Sequence, residues 1–181
     1  GMTETANWIA GGALNEQAAG AGYVGKPLGD ALAVLTAADG IAFAGRLSEE
    51  FKLASGTWVQ ATTLRSQLID ALQPYVRDLV IAAPDRPWLG ALVWLDATAC
   101  AEAGGETVWR PALVRLLASF NRRPGGSSTR IRRLLPLTEL PQPGAGEVTD
   151  KRSINARRVL ERRAADVERL YAESADRELI V

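Results

Sequence analysis

Two apolar runs in the middle of the chain, at 76–83 and 89–95, constrain its fold more than any other feature. A short Asp85-Arg86-Pro87 segment separates them, and Asp and Pro are residues typical of tight turns. Apolar runs of this length that are joined by a turn predict an antiparallel pair of strands. The fold must therefore be built around a sheet that contains this pair.

Helical patterns flank the pair of strands on both sides. Thr63 is placed to cap a helix that runs to about Gln73, where Pro74 ends it. Asn155 is placed to cap a last helix near the C-terminus. A further helix, with Pro111 tolerated in its first turn, is indicated by apolar residues at helical spacing: Trp109, Leu113, Leu116, Leu117 and Phe120.

Two more strand patterns complete the architecture. An apolar run at 131–137 predicts a third core strand. Upstream, the runs 32–35 and 41–44 are separated by an Asp39-Gly40 turn, which predicts a β-hairpin. The order of elements predicts an α+β fold, in which a small mixed sheet has helices on its faces and is preceded by a β-hairpin.

The composition excludes several kinds of catalysis. The chain contains no histidine, which removes serine and cysteine triads of the usual kind, histidine general bases and most zinc sites. Its single cysteine, Cys100, lies in an alanine-rich stretch and is expected to be a small buried residue. We therefore predict no disulfide and no metal site, and any chemistry must come from Lys, Arg, Asp, Glu, hydroxyl or backbone groups.

Charge and hydropathy suggest the cellular context. The net charge is zero, which argues against a field over the whole protein that would attract a nucleic acid or a membrane. No apolar run approaches the roughly 20 residues that span a bilayer. No signal-peptide pattern opens the chain. A cytoplasmic protein that does not engage a membrane is therefore expected.

Lysine is rare in this chain, so each lysine marks a position of interest. Of the 21 basic residues, only three are lysines: Lys26, Lys52 and Lys151. Lysine carries a compact ammonium with three donors, whereas arginine carries a wide planar fork. Each lysine is either a candidate for a specific contact or an ordinary surface residue, and the composition alone leaves both interpretations open.

The segment 122–170 is strongly basic, with twelve basic and six acidic residues. This surplus could bind a polyanion such as a nucleotide phosphate or a nucleic acid. The alternative is a solvated helix face that carries ion pairs at helical spacing, such as Arg157–Glu161 and Arg162–Asp166. We favour the solvated face for the four helical arginines, which are Arg157, Arg158, Arg162 and Arg163.

Three motifs occur in the order found in adenylate-forming acyl-CoA synthetases. The segment 45–59 reads Gly-Arg-Leu-Ser-Glu-Glu-Phe-Lys-Leu-Ala-Ser-Gly-Thr-Trp-Val and resembles the hinge and thioesterification segment of that superfamily. Residues 28–31 resemble the preceding ribose-binding motif. Gly-Glu-Val-Thr-Asp-Lys at 146–151 resembles the C-terminal motif that carries the adenylation lysine. The match runs from about Tyr23 to Ala172 and looks most like feruloyl-CoA synthetases.

The resemblance implies roles for single residues in a two-step reaction. A carboxylate first attacks the α-phosphate of Mg-ATP, and the thiol of CoA then displaces AMP from the acyl-adenylate. Lys151 would be the adenylation lysine, and Lys52 would approach the thioester site. Asp30 would accept hydrogen bonds from the ribose hydroxyls, and Arg46 would steady the hinge or the nucleotide.

The same resemblance implies that the domain moves between the two steps. Ser48 or Glu49 would occupy the hinge, which absorbs the backbone rotation while the domains stay rigid. Gly56 would be the glycine beside the CoA channel. For Arg46, a surface ion pair with Glu49 or Glu50 is the alternative to a role at the nucleotide.

The resemblance covers only the C-terminal part of such enzymes. It implies a mobile N-terminal segment at 1–22, a hairpin at 23–47 that ends the large AMP-binding domain, and a C-terminal mobile domain at 48–181. The N-terminal AMP-binding domain would be missing, so ATP, Mg²⁺ and CoA would act only in the complete enzyme. The chain alone is expected to be inactive, as either a truncated enzyme or a natural short protein.

Two other functions and one association are consistent with the sequence. The chain could be an interaction module that docks onto a separately encoded AMP-binding domain. It could instead be a nucleic-acid-binding domain that uses the basic stretch, although the zero net charge and the lack of a recognisable motif argue against this. Apolar residues near the N-terminus, such as Trp8 and Ile9, would allow a homodimer.

Overall fold

The structure is a computed structural model that describes residues 50–173 and 178–181 with their side chains, and the backbone of four strands before residue 50. The chain forms two compact units, Gly1–Glu50 and Phe51–Val181. The second unit carries most of the described residues and every described side chain except that of Glu50.

The first unit contains two antiparallel pairs of strands. Strand β1 (Ala10–Gly11) pairs with β2 (Lys26–Pro27), and β3 (Ala31–Thr36) pairs with β4 (Gly40–Arg46). The register brings the end of β3 next to the start of β4. The β-hairpin predicted from the two apolar runs is therefore confirmed.

The second unit begins with a small hairpin and continues into a three-stranded sheet. The hairpin pairs β5 (Phe51–Lys52) with β6 (Trp58–Val59). In the sheet, β8 lies in the centre, antiparallel to β7 and parallel to β9, which confirms the predicted mixed sheet. The strands are β7 (Val76–Ile81), β8 (Leu89–Leu95) and β9 (Ile131–Pro136).

Helices cover both faces of this sheet, and none of those in the described residues has the length and apolar composition needed to cross a bilayer. A short 3-10 turn at Pro143–Ala145 precedes the last two helices. The α-helices of the described residues are α1 (Ala61–Ala71), α2 (Ala97–Glu102), α3 (Glu106–Asn121), α4 (Ala156–Arg162) and α5 (Ala164–Tyr171).

The sheet is buried on both sides, and this explains the apolar runs of the sequence. Leu79 and Val93 point to one face, where they pack in the cluster that includes α1 and α3. Val80 and Leu92 point to the other face, where they pack with residues of α4 and α5. A strand covered on both faces needs apolar residues at every position rather than at alternate ones.

Two predictions about helix ends were wrong. Helix α1 begins at Ala61 with Gln60 as its N-cap and no side-chain cap, so Thr63 lies inside the first turn. Helix α3 begins at Glu106, which places Pro111 in the second turn rather than the first. Proline there removes one backbone donor from the interior of the helix. Both helices start earlier than a polar cap or a proline would indicate.

A side chain joins the end of α3 to the start of β9. The amide of Asn121 donates from Nδ2 to the Ile131 carbonyl over 2.7 Å, and its Oδ1 accepts from the Ile131 N–H over 2.9 Å. These are the two bonds that a neighbouring strand residue would make. Asn121 therefore closes the base of the loop 122–130.

Gly90 provides the first test of this packing. A Cβ added at Gly90 would lie 2.7 Å from Cδ2 of Leu170, a fully buried residue of α5. We expect Gly90→Ala to lower the free energy of unfolding by about 1–3 kcal/mol, because the added methyl group overpacks this contact. Chemical denaturation measures the change.

Gly126→Ala is the matched control, since a Cβ at Gly126 would meet nothing within 4 Å. The same chemical change there should leave the stability unchanged or slightly raised, because alanine has less freedom than glycine in the unfolded chain. An equal loss of stability in both variants would contradict the packing of α5 on β8.

Candidate functional site

Lys151 lies at the tip of a short turn that projects from the second unit. The segment 148–154 is closed at its base by an isolated antiparallel bridge between its first and last residues. The Thr149 N–H donates to the Ser153 carbonyl over 2.8 Å, and the Arg152 N–H donates to the Thr149 carbonyl over 2.8 Å. Lys151 is therefore the third residue of a hydrogen-bonded turn, and its side chain is exposed.

A buried ion pair lies at the foot of this turn. Glu147 is 1 % exposed and Arg163 is 8 % exposed, and they are the only buried charged residues in the part of the chain that the structure describes. The guanidinium donates from Nε to one carboxylate oxygen over 3.1 Å and from Nη2 to the other over 3.2 Å. Two such bonds fix orientation as well as distance.

The carboxylate of Glu147 has further partners. It accepts the N–H of Gln142 over 2.8 Å, and Nε of Arg162 lies 3.6 Å from it. Burial acts to raise the pKa of Glu147, but the Gln142 N–H and the two arginines outweigh burial and hold this pKa below its usual range. Glu147 therefore stays ionised at neutral pH although it is buried.

Arg163 is also held from its other side. Its Nη2 donates to the Leu140 carbonyl over 3.2 Å, and its Nη1 lies 3.5 Å from the Glu139 carboxylate. The guanidinium carbon lies 5.7 Å from the ring centroid of Trp94, at the end of β8. Arg163 thus links the sheet to the segment that leads to Lys151.

The burial of Arg163 corrects the sequence analysis, which placed this arginine on a solvated helix face. The last helical segment is not continuous: it breaks at Arg163, whose φ of −101° and ψ of 32° lie outside the helical region. Asn155 caps the first part as predicted, by accepting the N–H of Arg158 over 3.2 Å. Helical spacing assumes an unbroken helix, so it assigned Arg163 to the wrong surface.

The other helical arginines follow the prediction in part. Arg157 pairs with Glu161 over 2.9 Å, as predicted. The predicted Arg162–Asp166 pair was wrong, because the break turns Arg162 towards Glu147 and leaves Asp166 with Arg169 at 3.1 Å. Arg158 also lies 3.4 Å from Glu161. Much of the basic surplus of the helical stretch is thus neutralised within the domain.

Lys52 lies on the hairpin at the start of the second unit. Its side chain is exposed, with Nζ 4.8 Å from the ring centroid of Trp58 on the paired strand. Its carbonyl accepts the N–H of Asp85 over 3.0 Å, and the Ala54 N–H donates to the Arg86 carbonyl over 3.0 Å. The hairpin is therefore attached to the turn between β7 and β8.

Gly56 forms the tip of this hairpin. Its φ of +82° lies in the left-handed region, which glycine adopts without the strain that a side chain would cause. Its N–H donates to the Leu53 carbonyl over 2.8 Å, and the Leu53 N–H donates to the Thr57 carbonyl over 3.0 Å. A Cβ at this position would meet nothing within 4 Å, so backbone conformation rather than crowding favours glycine here.

The two candidate lysines are anchored at opposite ends of the sheet. The Lys52 hairpin is bonded to the turn after β7. The Lys151 turn is held through Arg163, which lies on Trp94 at the far end of β8. The structure therefore attaches the segments that carry the two candidate lysines at opposite ends of the sheet.

The side chains of the remaining predicted site residues lie outside the part of the chain that the structure describes. Asp30, Ser48 and Glu49 have no described position. Arg46 is the last residue of β4, and only its backbone is described. The predicted roles of these four residues in nucleotide binding and at the hinge stay predictions, as does the homodimer through Trp8 and Ile9.

The described residues hold no group of three or more His, Cys, Asp or Glu side chains that could bind a metal ion. Cys100 is a buried free cysteine, as predicted. Burial, together with the charge of Asp96, raises the pKa of the Cys100 thiol. A buried thiol with a raised pKa is a poor nucleophile.

The ionised state of Glu147 predicts a loss of stability in acid. Its pKa is lower in the folded chain than in the unfolded chain, where a glutamate has a pKa of about 4.3. The stabilisation is therefore complete above that value and is lost as the pH falls through the lower folded-state pKa. Unfolding measured between neutral pH and pH ~3 should show this loss, and Glu147→Gln should make the pH dependence of unfolding shallower. An identical pH dependence in both proteins would contradict the assignment.

Comparison with known proteins gives structural matches only. No protein-family model matches this sequence, and no curated protein sequence matches it significantly. The adenylation (A) domain of the carboxylic acid reductase of Segniliparus rugosus, solved in complex with AMP and a co-purified carboxylic acid, matches with a TM-score of 0.67 and 24 % identity. The match covers 83 % of this chain and 24 % of that one.

Two further structures match in the same way. The A-PCP didomain of the carboxylic acid reductase of Segniliparus rugosus, in complex with AMP, gives a TM-score of 0.66 at 23 % identity over 82 % of this chain and 21 % of that one. The A domain of a carboxylate reductase of Mycobacterium chelonae gives 0.68 at 20 % identity over 82 % of this chain and 23 % of that one. This chain spans about a quarter of the length of these structures. Over that length, it has the fold of adenylate-forming domains.

Proposed function

We propose that this chain is the C-terminal mobile domain of an AMP-forming carboxylate–CoA ligase and acts together with an N-terminal AMP-binding domain. The observation that carries the proposal is the exposed Lys151 at the tip of a hydrogen-bonded turn. An ammonium in this position can enter a site formed by another domain. The fold shared with adenylation domains and the motif around Lys151 support the same role.

In the first half-reaction, a carboxylate oxygen of the acid attacks the α-phosphorus of Mg-ATP. A bond forms between this oxygen and phosphorus, the bond to the bridging oxygen of the β-phosphate breaks, and pyrophosphate leaves. Negative charge develops on the α-phosphate oxygens and between them and the incoming carboxylate. The ammonium of Lys151 stabilises this charge by hydrogen bonding and electrostatic attraction.

In the second half-reaction, the thiol of CoA loses its proton to solvent and its sulfur forms a bond to the acyl carbon, while AMP leaves with the electrons of the carbon–oxygen bond. The domain rotates about Ser48 or Glu49 and brings the other surface, with Lys52 and Gly56, to the AMP-binding domain. The location of the two lysines at opposite ends of the sheet supports this alternation. Asp30 and Arg46 contact the nucleotide.

The acid is an aryl or hydroxycinnamate substrate, as in feruloyl-CoA synthetases, and the reaction takes place in the cytoplasm. The support for this substrate class is the resemblance of 45–59 and 146–151 to those enzymes. Mg²⁺ enters as the complex with ATP.

The proposal predicts that the chain alone releases no AMP from ATP in the presence of ferulate and CoA. Addition of an AMP-binding domain, in trans or fused before the chain, should produce AMP and the thioester, which chromatography detects. AMP release by the chain alone would contradict the assignment of the nucleotide site to another domain. Binding of the added domain without any increase in rate would instead indicate a docking module.

A further inference from the structure

We infer that the buried Arg163–Glu147 pair positions Lys151 for the adenylation step. This inference rests on the proposed function, because it concerns the same lysine. In the proposed function, neither Arg163 nor Glu147 touches a substrate. Both are positioning residues, which act by fixing the backbone from which the Lys151 side chain extends.

The path from the pair to Lys151 is short, and backbone hydrogen bonds hold the ends of the turn that carries the lysine. The Glu147 carbonyl accepts the N–H of Asn155 over 2.9 Å, and the Glu147 N–H donates to the Gln142 carbonyl over 3.1 Å. Glu147 therefore holds both ends of the turn, since Asn155 follows the segment 148–154. Three residues lie between Glu147 and Lys151, and the turn that carries the lysine is itself closed by backbone hydrogen bonds.

The other end of the path lies in the sheet. Arg163 contacts the ring of Trp94, a residue of β8 that is 1 % exposed, and donates to the Leu140 carbonyl. The indole N–H of Trp94 in turn donates to the Glu139 carbonyl over 2.8 Å. Arg163 thus joins the central strand, the segment after β9 and the turn of Lys151 in one contact network.

A role in positioning explains why this pair is charged. Two buried charges lose their hydration, and an apolar pair of similar size is often as stabilising. A guanidinium that makes two bonds to one carboxylate, however, restricts its angle as well as its distance, which apolar contacts do not. Of the charged side chains that the structure describes, only these two are buried, and they lie at the foot of the turn that carries Lys151.

The test replaces both members of the pair, by Glu147→Met together with Arg163→Met. This change removes the two hydrogen bonds between the guanidinium and the carboxylate. It leaves no unpaired charge in the interior, which would otherwise be the main cause of unfolding. The matched control makes the same two changes in the exposed pair, by Arg157→Met together with Glu161→Met. Arg163→Lys is a second test variant. It keeps the positive charge but cannot make the pair of parallel hydrogen bonds to the carboxylate.

Two measurements separate positioning from a purely structural role. In the chain alone, hydrogen exchange should show loss of protection at the Arg152 N–H in the double variant and not in the control. In the complex with the AMP-binding domain, the rate of acyl-adenylate formation should fall about 100-fold, as expected for a small displacement of a catalytic group. Transfer from a preformed acyl-adenylate to CoA should keep its rate.

Either of two results would overturn the inference. One is a folded double variant, or a folded Arg163→Lys variant, that forms acyl-adenylate at the normal rate. The other is an equal loss of both half-reactions, which would indicate general damage. Failure of the proposed function gives a different result, because Lys151→Ala would then leave adenylation intact; if Lys151→Ala abolishes it while the double variant retains it, only the positioning role is wrong.

Discussion

Lys151→Ala should lower the rate of acyl-adenylate formation by about 100- to 1,000-fold in the complex with an AMP-binding domain. The loss follows from removing the ammonium that meets the charge developing on the α-phosphate. Pyrophosphate release, or trapping of the acyl-adenylate with hydroxylamine, measures this half-reaction. In the proposed function the second half-reaction uses the other surface of the domain, so transfer from a preformed acyl-adenylate should be nearly unchanged.

Arg152→Asn is the matched control for this experiment. Arg152 is the neighbouring exposed cation in the same turn, and its φ of +61° is one that asparagine tolerates. The substitution removes a positive charge from the turn and keeps the backbone conformation. An equal loss of adenylation in both variants would show that the total positive charge of the turn, and not the Lys151 ammonium in particular, supports the reaction.

Arg163→Met should lower the free energy of unfolding by about 3 kcal/mol at neutral pH, because it removes the two-bond partner of the buried Glu147 carboxylate and leaves only the Gln142 N–H and the more distant Arg162 beside it. The loss should become smaller in acid, where protonation of Glu147 removes the buried charge. Urea denaturation at several pH values measures both effects. The loss arises because one member of the pair is removed while the other stays buried. The variant that replaces both residues should therefore regain most of the lost free energy of unfolding.

Arg157→Met is the control for the stability measurement. It makes the same chemical change on the same helix, at a side chain that is 89 % exposed and pairs with a carboxylate on the surface. Exposed pairs contribute little, so this variant should unfold almost as the original chain does. A similar loss in the two variants would show that Arg163 matters through helix stability and not through its buried partner.

The local patterns of the sequence predict much of the second unit. The apolar runs that become β7, β8 and β9, the helix that carries Leu113 and Phe120, and the cap at Asn155 all depend on neighbours close in the chain. Burial on both faces strengthens the signal of the central strand β8 in particular, which has no charged or polar side chain at any position. Local periodicity is therefore enough to predict a strand or helix when the whole element packs against the same surroundings.

The ion pair at the candidate site could not be predicted in the same way. Glu147 and Arg163 are 16 residues apart, and they meet because a turn folds back on a helix that breaks. Helix α2 was also missed, although Asp96, which accepts the Ala99 N–H over 2.9 Å, gave a capping signal before an alanine-rich run. The signal for the pair was weaker: a glutamate four positions before a candidate lysine, in a chain with many arginines.

The bond between Asn121 and Ile131 separates the loop 122–130 from the sheet that it connects. Because one amide side chain sets the spacing between the end of α3 and the start of β9, the intervening residues do not have to set it. Chain added within the loop would cost the entropy of closing a longer loop, which grows slowly with length, together with any contact that a displaced loop residue makes, such as that of Arg123 with the ring of Phe120. The segment is thus a natural point for insertion or labelling, where a reporter could follow the domain while the core strands keep their alignment.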